Sequence, residues 1–210
     1  MRRKYIVLTI LALLAFAALP LAADTISFNG GYTKVDLQEG KKSVTLSGGA
    51  TVSTDQVDLE SDSISIYGEN YRYVSCTGNV SAVEKEHGIS FKSPTLFYDR
   101  TNGKVTSDSW IEIQDNENQA ALSGAWFEFD MQKRFIKLQM MARVIKVTDE
   151  GLMVCRADSI EYDGENNMVS LKGGATVNWN DDTYSAAMIT VNLDTNEITL
   201  YGSISGEFNG

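Results

Sequence analysis

After residue 24, apolar and polar residues alternate in short runs such as Val44-Thr45-Leu46, Ile64-Ser65-Ile66 and Val169-Ser170-Leu171. A period of two places the apolar side chains on one face of a β-strand. Gly, Asn and Asp interrupt these runs at short intervals, which is typical of tight turns. No stretch shows a convincing helical period, so the pattern predicts an all-β protein.

The alternation recurs with a period of about 31 residues, because two apolar columns seven positions apart repeat along the chain. Members of the first column are separated by 30, 31, 31, 33 and 31 residues. Turn-forming residues lie between the columns, so each unit is predicted to hold two short strands and two turns. The first column comprises Leu37, Tyr67, Tyr98, Phe129, Tyr162 and Leu193, and the second Val44, Val74, Val105, Ile136, Val169 and Leu200.

A third column lies four residues beyond the second, at Gly48, Gly78, Ser109, Met140 and Gly173. Small residues prevail there, which indicates that the strands bend or pass closely, and Met140 departs from the trend. About six units give roughly a dozen strands joined by tight turns. We therefore expect one elongated antiparallel β-sandwich or β-roll over residues 24–210, not a parallel solenoid.

The apolar faces of such a stack must meet inside, either as a solid core or as the walls of an apolar groove. The sequence leaves both alternatives open. Cys76, Ile89 and Leu152 are among the inward-facing candidates. The residues expected to line a lumen are Val44, Leu46, Val74, Val80, Phe91, Leu96, Ile111, Ile113, Phe127, Phe129, Leu138, Met140, Ile160, Leu171, Ile189 and Val191.

An open stack has two edge strands, which we expect around Ile26 and Phe28 at one end and around Ile198 and Leu200 at the other. Neither short segment contains Pro or Lys, the residues that usually block pairing between edges. Head-to-tail joining of edges would give a bridge or a filament. The alternative is that each edge is covered by its own chain.

The first 23 residues have the pattern of a secretory signal. Arg2, Arg3 and Lys4 precede an apolar run, and Pro20 and Ala23 lie at a small-residue end that predicts cleavage after Ala23. The alternative is an uncleaved membrane anchor, because residues 5–23 come close to the roughly 20 apolar residues that span a bilayer. Cleavage would yield a soluble exported protein.

Composition excludes several classes of function. The chain of 210 residues has 28 acidic and 18 basic side chains and a formal net charge of −10, so nucleic acid is a poor partner. A single histidine, His87, in a predicted turn leaves no His-rich metal site and no catalytic triad, and we expect neither catalysis nor a cofactor. Cys76 and Cys155 fall at apolar strand positions, where a buried thiol is usual. Whether they are bonded is left open.

One basic stretch interrupts this acidity, because residues 131–148 contain no acidic side chain. These cations could hold a phosphorylated headgroup near the mouth of a lumen, or they could form a solvated strand face paired with neighbouring carboxylates. The headgroup candidates are Lys133, Arg134, Lys137, Arg143 and Lys146.

Residues 155–177 carry the pattern A-D-x-I-x-Y-D, then N-x-V-x-L-x-G-x-A, and residues 44–52 and 59–64 echo it. Over residues 26–208 the chain resembles the periplasmic lipopolysaccharide-transport family, which includes LptA, LptC and the organic-solvent-tolerance (OstA-like) N-terminal domain. Ala125-Trp126 and Ala187-Met188 depart from the repeated Ala-Asp, and the acidity is unexpected for a protein that meets a phosphorylated lipid.

The resemblance implies a β-jellyroll in the periplasm whose apolar lumen shelters the acyl chains of lipopolysaccharide or a related glycolipid. It further implies end-to-end strand pairing with inner-membrane and outer-membrane transport components of related fold, or with other copies of the chain. Two alternatives stay open: an exported structural β-repeat protein with a solid core and no lipid, and a membrane-anchored LptC-like relative.

Overall fold

The computed structural model describes residues 25–38, 40 and 42–208. The predicted signal or anchor at residues 1–23 lies outside them. In the described part, the only helical elements are the 3-10 turns Glu69–Tyr71 and Met131–Lys133, and no helix is long and apolar enough to cross a membrane. The strands are β1 (Ser27–Asp36), β2 (Ser43–Ser53), β3 (Val57–Tyr67), β4 (Tyr73–Glu84), β5 (Ser90–Asp99), β6 (Lys104–Ser107), β7 (Ile111–Asp115), β8 (Ala120–Gly124), β9 (Trp126–Asp130), β10 (Phe135–Thr148), β11 (Gly151–Asp163), β12 (Met168–Trp179), β13 (Asp182–Asn192), β14 (Ile198–Tyr201) and β15 (Ser205–Glu207).

All the strands belong to one antiparallel sheet in which neighbours in sequence are mostly neighbours in space. Three strand paths are interrupted, so that each consists of two short strands along one neighbouring strand. These are β6 and β7 along β5, β8 and β9 along β10, and β14 and β15 along β13. About a dozen strand paths therefore follow one another along a single axis, as the repeat predicts. The strands β1 and β14 lie at the two ends of this order. Strand β1 is longer than expected and includes Lys34.

Most strands bend sharply near their middle. The register shifts at Ser47/Ala50, Thr77/Val80 and Lys172/Ala175, and the residues skipped there include Gly48, Gly78 and Gly173 with φ of 77°, 82° and 79°. Left-handed residues turn the strand through the corner, and glycine adopts this conformation without a steric penalty. The predicted column of small residues is confirmed as this line of bends, which we call the corner.

Met140 lies at the same corner, and its predicted place in the interior is wrong. It is followed by Met141, and the two residues have φ of 60° and 59°. The double left-handed bulge between Gln139 and Ala142 turns both side chains outward, where they are 57% and 73% exposed. The bulge, and not the period-two count, decides the direction of a side chain here.

Beyond the corner the sheet folds back, so that its two halves pack face to face. The ring of Phe91 in one half lies 5.5 Å from the ring of Phe127 and 5.7 Å from that of Phe129 in the other half. The sequence repeat produces this interior, because residues at the same point of successive units become cross-strand partners. One ladder runs through Val44, Ile66, Val74, Tyr98, Val105, Phe129, Ile136, Tyr162, Val169 and Val191. The architecture is an antiparallel β-jellyroll with an apolar interior.

Candidate functional site

The interior of the jellyroll holds every predicted lumen residue except Met140, and each of these keeps 5% or less of its surface exposed. Side chains that line a water-filled channel would keep accessible surface, so the two halves of the sheet are packed directly against each other in this structure. The ring of Phe91 contacts the rings of Phe127 and Phe129 across the interior. Leu152, which the sequence analysis named among the inward-facing candidates, lies at the start of β11 and is 53% exposed.

A second ladder runs along the same half of the sheet nearer the corner, and a third runs along the facing half. Sequence reasoning missed several of their members, although the alternation around each was visible. The second ladder contains Leu46, Ile64, Cys76 and Leu96, then Phe127, Leu138, Ile160, Leu171, Ile189 and Leu200. The third contains Val52, Leu59, Ala82, Phe91, Ile113, Leu122, Val144, Cys155 and Val177.

Opposite the corner, the strand ends of the two halves meet along a line that we call the seam. Polar contacts join the halves across it. Near the start of the chain, the Tyr98 hydroxyl donates to Gln56 Oε1 at 2.7 Å. Near the end, Lys146 Nζ donates to the carbonyl oxygen of Leu193 at 2.7 Å, and burial lowers the pKa of this lysine.

The middle of the seam holds a buried polar cluster. The Tyr162 hydroxyl donates to Asp115 Oδ2 at 3.3 Å and accepts from Asn118 Nδ2 at 2.9 Å. Asp115 is 1% exposed, and burial together with the Asp115 charge raises the pKa of Tyr162. On the outside of this cluster Arg134 Nη2 lies 3.4 Å from Glu117 Oε2. None of these contacts across the seam was predicted.

The interior opens at the end of the jellyroll that is formed by β1. The inward-facing side chains of β1 have little opposite them, and Phe28 and Val35 are 46% and 48% exposed. They line an open cavity of about 350 Å³, which we call the mouth, with Arg100 at its rim. Its remaining walls are Ile26, Val44, Ile66, Asn70 and Tyr71.

The five predicted headgroup cations do not form one site. Lys133 Nζ lies 3.7 Å from Asp130 Oδ2, Arg134 contacts Glu117, and Lys137 lies between Glu128 and Glu161 on the neighbouring strands. Lys146 points into the seam, whereas Arg143 lies on the outer face. The cations lie far apart because they belong to an extended strand, which rises about 3.3 Å per residue and spreads this stretch over tens of ångströms. For Lys133 and Arg134, the alternative of cations paired with neighbouring carboxylates describes the structure.

Chemically reactive groups are few in the described part of the chain. Cys76 and Cys155 are free and buried, and burial raises the pKa of each thiol to about 12, which leaves no nucleophilic thiolate at neutral pH. The ligating atoms of Glu84, Glu86 and His87 lie within 4.8 Å of one another. However, the Glu84 carboxylate already accepts the backbone N–H groups of Glu86 and His87, each at 2.9 Å, so it caps this turn.

The comparison of this chain with protein-family models agrees with the predicted resemblance. The family model described as "LptA/(LptD N-terminal domain) LPS transport protein" matches residues 33–197. No curated protein matches the chain. Among solved structures it is similar to LptH from Pseudomonas aeruginosa, described as the LptA homologous periplasmic component of the conserved lipopolysaccharide transport device. The identity is 10%, the match covers 89% of this chain and 96% of that chain, and the TM-score is 0.29. Since the family model covers most of the sequence, the chain belongs to the LptA/LptD N-terminal domain family of lipopolysaccharide-transport proteins.

Proposed function

We propose that this protein is a periplasmic lipid carrier, which shelters the acyl chains of lipopolysaccharide or a similar glycolipid between the two halves of its sheet. The observation that carries this proposal is the uninterrupted apolar ladder that runs along the interior from Val44 to Val191. A solid core needs no continuous path, whereas a lipid that moves along the protein does.

The energetics of the interior suit this task. Each methylene removed from water gains about 0.8 kcal/mol, so about ten sheltered methylenes gain on the order of 8 kcal/mol before entropic costs. The attraction is non-directional and the ladders have the same chemistry throughout. An acyl chain can therefore slide along them without breaking specific contacts.

Loading requires the interior to open, because the core side chains already fill it. The mouth is the place where the halves are apart, and there an acyl chain meets Phe28 and Val35 before any packed contact. From the mouth the acyl chain would advance between the two halves of the sheet as the packed side chains next to the mouth move apart.

The ends of the sheet suit end-to-end assembly. Strands β1 and β14 lie at opposite ends of the strand order, so each can pair with a strand of another jellyroll. We propose that they join inner-membrane and outer-membrane components of related fold, or further copies of this chain, into a bridge. Lys34 near one end of β1 limits such pairing to partners that accommodate its charge.

The proposal includes export with cleavage after Ala23, which would release the jellyroll into the periplasm. Retention of residues 1–23 would instead make the protein a membrane-anchored, LptC-like relative. Sequencing the mature N-terminus distinguishes the two, because a chain that begins at Asp24 is released and one that begins at Met1 or Arg2 is anchored.

The test is lipid occupancy. The full chain is expressed in a host that makes lipopolysaccharide, purified without detergent, and analysed by native mass spectrometry with lipid extraction. We expect a co-purified acylated lipid. Val35→Glu should reduce its amount, because the new carboxylate lies in the mouth, on the exposed strand β1 and outside the packed core.

Tyr32→Glu is the matched control. Tyr32 lies on the other face of β1, opposite Ser47, and is 64% exposed, so its replacement should leave lipid occupancy unchanged. A lipid-free wild-type protein that also fails to take up a fluorescent fatty acid would contradict the carrier function. The packed interior would then favour the second candidate, an exported structural β-roll without cargo.

A further inference from the structure

Two arginines face each other across neighbouring strands on the outer surface. Arg143 of β10 is paired in register with Arg156 of β11. Their sequence neighbours Val144 and Cys155 are buried, so the arginine side chains point away from the interior. Residues directly opposite each other in an antiparallel pair have Cβ atoms about 5 Å apart.

This pair is unfavourable without a counter-ion, because like charges directly opposite each other repel. Within the described residues, neither arginine forms an ion pair or a side-chain hydrogen bond, and Arg143 Nε is buried without a partner. The contrast with Lys137 on the same strand is informative, because that lysine lies between Glu128 and Glu161. Unpaired arginines are unexpected in a protein with 28 acidic side chains.

Arg143 also lines a shallow groove of about 340 Å³ on the outer face, and Arg156 lies next to this groove on the neighbouring strand. The cross-strand order is Lys92, Glu112, Ser123, Arg143 and then Arg156. Trp110 also lines the groove and is 42% exposed. Among the residues that line the groove, Lys92 and Arg143 are basic and Glu112 is the one acidic residue, so positive charge is in excess there.

We propose that this groove binds a phosphate group, and that its ligand is a phosphorylated saccharide. Arg143 and Arg156 together offer the planar donors that match phosphate oxygens. Trp110 and Ser123 line the same groove as Arg143, and an indole and a hydroxyl are groups that can contact a sugar ring. The groove lies on the outer face of the sheet, whereas the acyl chains are proposed to lie between its two halves.

The test is binding to the purified full-length chain, measured by calorimetry with inorganic phosphate, glucose 1-phosphate and glucose at constant ionic strength. We expect the two phosphates to bind and glucose not to bind. Arg143→Gln and Arg156→Gln should each weaken phosphate binding about tenfold or more, as expected for loss of a charge-assisted contact. Lys133→Gln is the control, because that lysine lies beside Asp130 and should leave binding unchanged.

Trp110→Phe separates the two sources of phosphate. Weaker binding of glucose 1-phosphate with unchanged binding of inorganic phosphate identifies a saccharide phosphate as the ligand. Equal affinity of wild type for the two phosphates, unaffected by this substitution, overturns the saccharide assignment and leaves a site for free phosphate.

Thermal unfolding gives a second readout that does not depend on calorimetry. Without phosphate, Arg143→Gln should raise the melting temperature, because it removes the repulsion. Added phosphate should raise the melting temperature of the wild type more than that of the variant. A phosphate effect of equal size in wild type, Arg143→Gln and Lys133→Gln would overturn the proposal, since it would reflect a general salt effect.

Discussion

The hydroxyl of Tyr162 donates a hydrogen bond to Oδ2 of Asp115 at 3.3 Å, across 47 positions of sequence. The contact joins β11 to β7 at the seam, between the two halves of the sheet. Asp115 is 1% exposed, and Asn118 Nδ2 reaches both its carboxylate and the tyrosine hydroxyl. The halves are thus held together by apolar ladders inside and by a buried polar cluster at their margin.

Removal of the Tyr162 hydroxyl tests what this cluster does. Tyr162→Phe leaves the buried Asp115 and Asn118 without their partner across the seam, which should lower the free energy of unfolding by about 1–3 kcal/mol. If the seam limits the opening of the interior, the variant should also take up a fluorescent fatty acid faster. Urea denaturation and stopped-flow fluorescence measure the two effects.

Tyr67→Phe serves as the control, because Tyr67 is 38% exposed and its hydroxyl forms no hydrogen bond within the described residues. It should change neither quantity. Reduced stability of Tyr162→Phe with unchanged uptake would show that the cluster stabilises the fold without controlling access to the interior.

A second prediction concerns acid. Arg72 donates from Nε to Asp99 Oδ1 at 2.8 Å and from Nη2 to Oδ2 at 2.5 Å, which holds the pKa of Asp99 at about 2, below its ordinary value of 3.8. Because the folded-state pKa is the lower one, the pair stabilises the fold above pH 3.8, and this stabilisation disappears as the pH falls towards 2.

The measurement is the urea midpoint of wild type and Asp99→Asn between pH 6 and pH 2. The wild type should be the more stable at pH 6, and the difference should shrink below about pH 4. A difference that is independent of pH would show that the shape of the side chain matters and its charge does not.

The sequence predicts the antiparallel sheet and most of its interior, because both depend on local periodicity. Period-two alternation sets which face is apolar, and the 31-residue repeat brings Tyr98, Phe129 and Tyr162 into one ladder. Leu37 and Tyr67, which belong to the same column of the repeat, are exposed and lie outside this ladder, because Val35 and Ile66 take the ladder positions at this end.

The seam and the outer groove could not be predicted in this way. Gln56 meets Tyr98 across 42 positions, and such pairs depend on how the sheet folds back at the corner. The basic stretch illustrates the limit, since Lys137 and Arg143 lie on one strand. Their different environments are set by Glu161 and Arg156 of β11, which the composition of the stretch does not reveal.

The corner gives a third prediction. At Gly173, with φ of +79°, an added Cβ would lie 2.5 Å from Asp158 Oδ2. Gly173→Ala should therefore destabilise the protein by about 2 kcal/mol or more, from backbone strain and from the steric clash together. Gly174→Ala, where φ is +53° and an added Cβ meets nothing within 4 Å, should cost about 1 kcal/mol.

The double variant Gly173→Ala/Asp158→Ala tests the contact with the carboxylate. It removes Asp158 Oδ2, which lies 2.5 Å from the added Cβ, and keeps the backbone strain and the 3.0 Å contact with the Cβ of residue 158. Its free energy of unfolding should lie between those of wild type and Gly173→Ala. If removal of the carboxylate gives no recovery, the carboxylate moves away at little cost, and the backbone strain and the Cβ contact account for the effect.

Met140 offers the opposite experiment at the equivalent corner of β10. It has φ of 60° and is 57% exposed, so its side chain contributes little packing while its backbone bears a left-handed conformation. Met140→Gly should raise the free energy of unfolding by about 1 kcal/mol, because glycine adopts this conformation without a clash at Cβ. Met131→Gly, in a 3-10 turn whose side chain packs against the core, should instead destabilise the protein. If Met140→Gly also destabilises, the exposed methionine makes a contact that offsets its strain, and the corner of β10 is then held by more than its backbone.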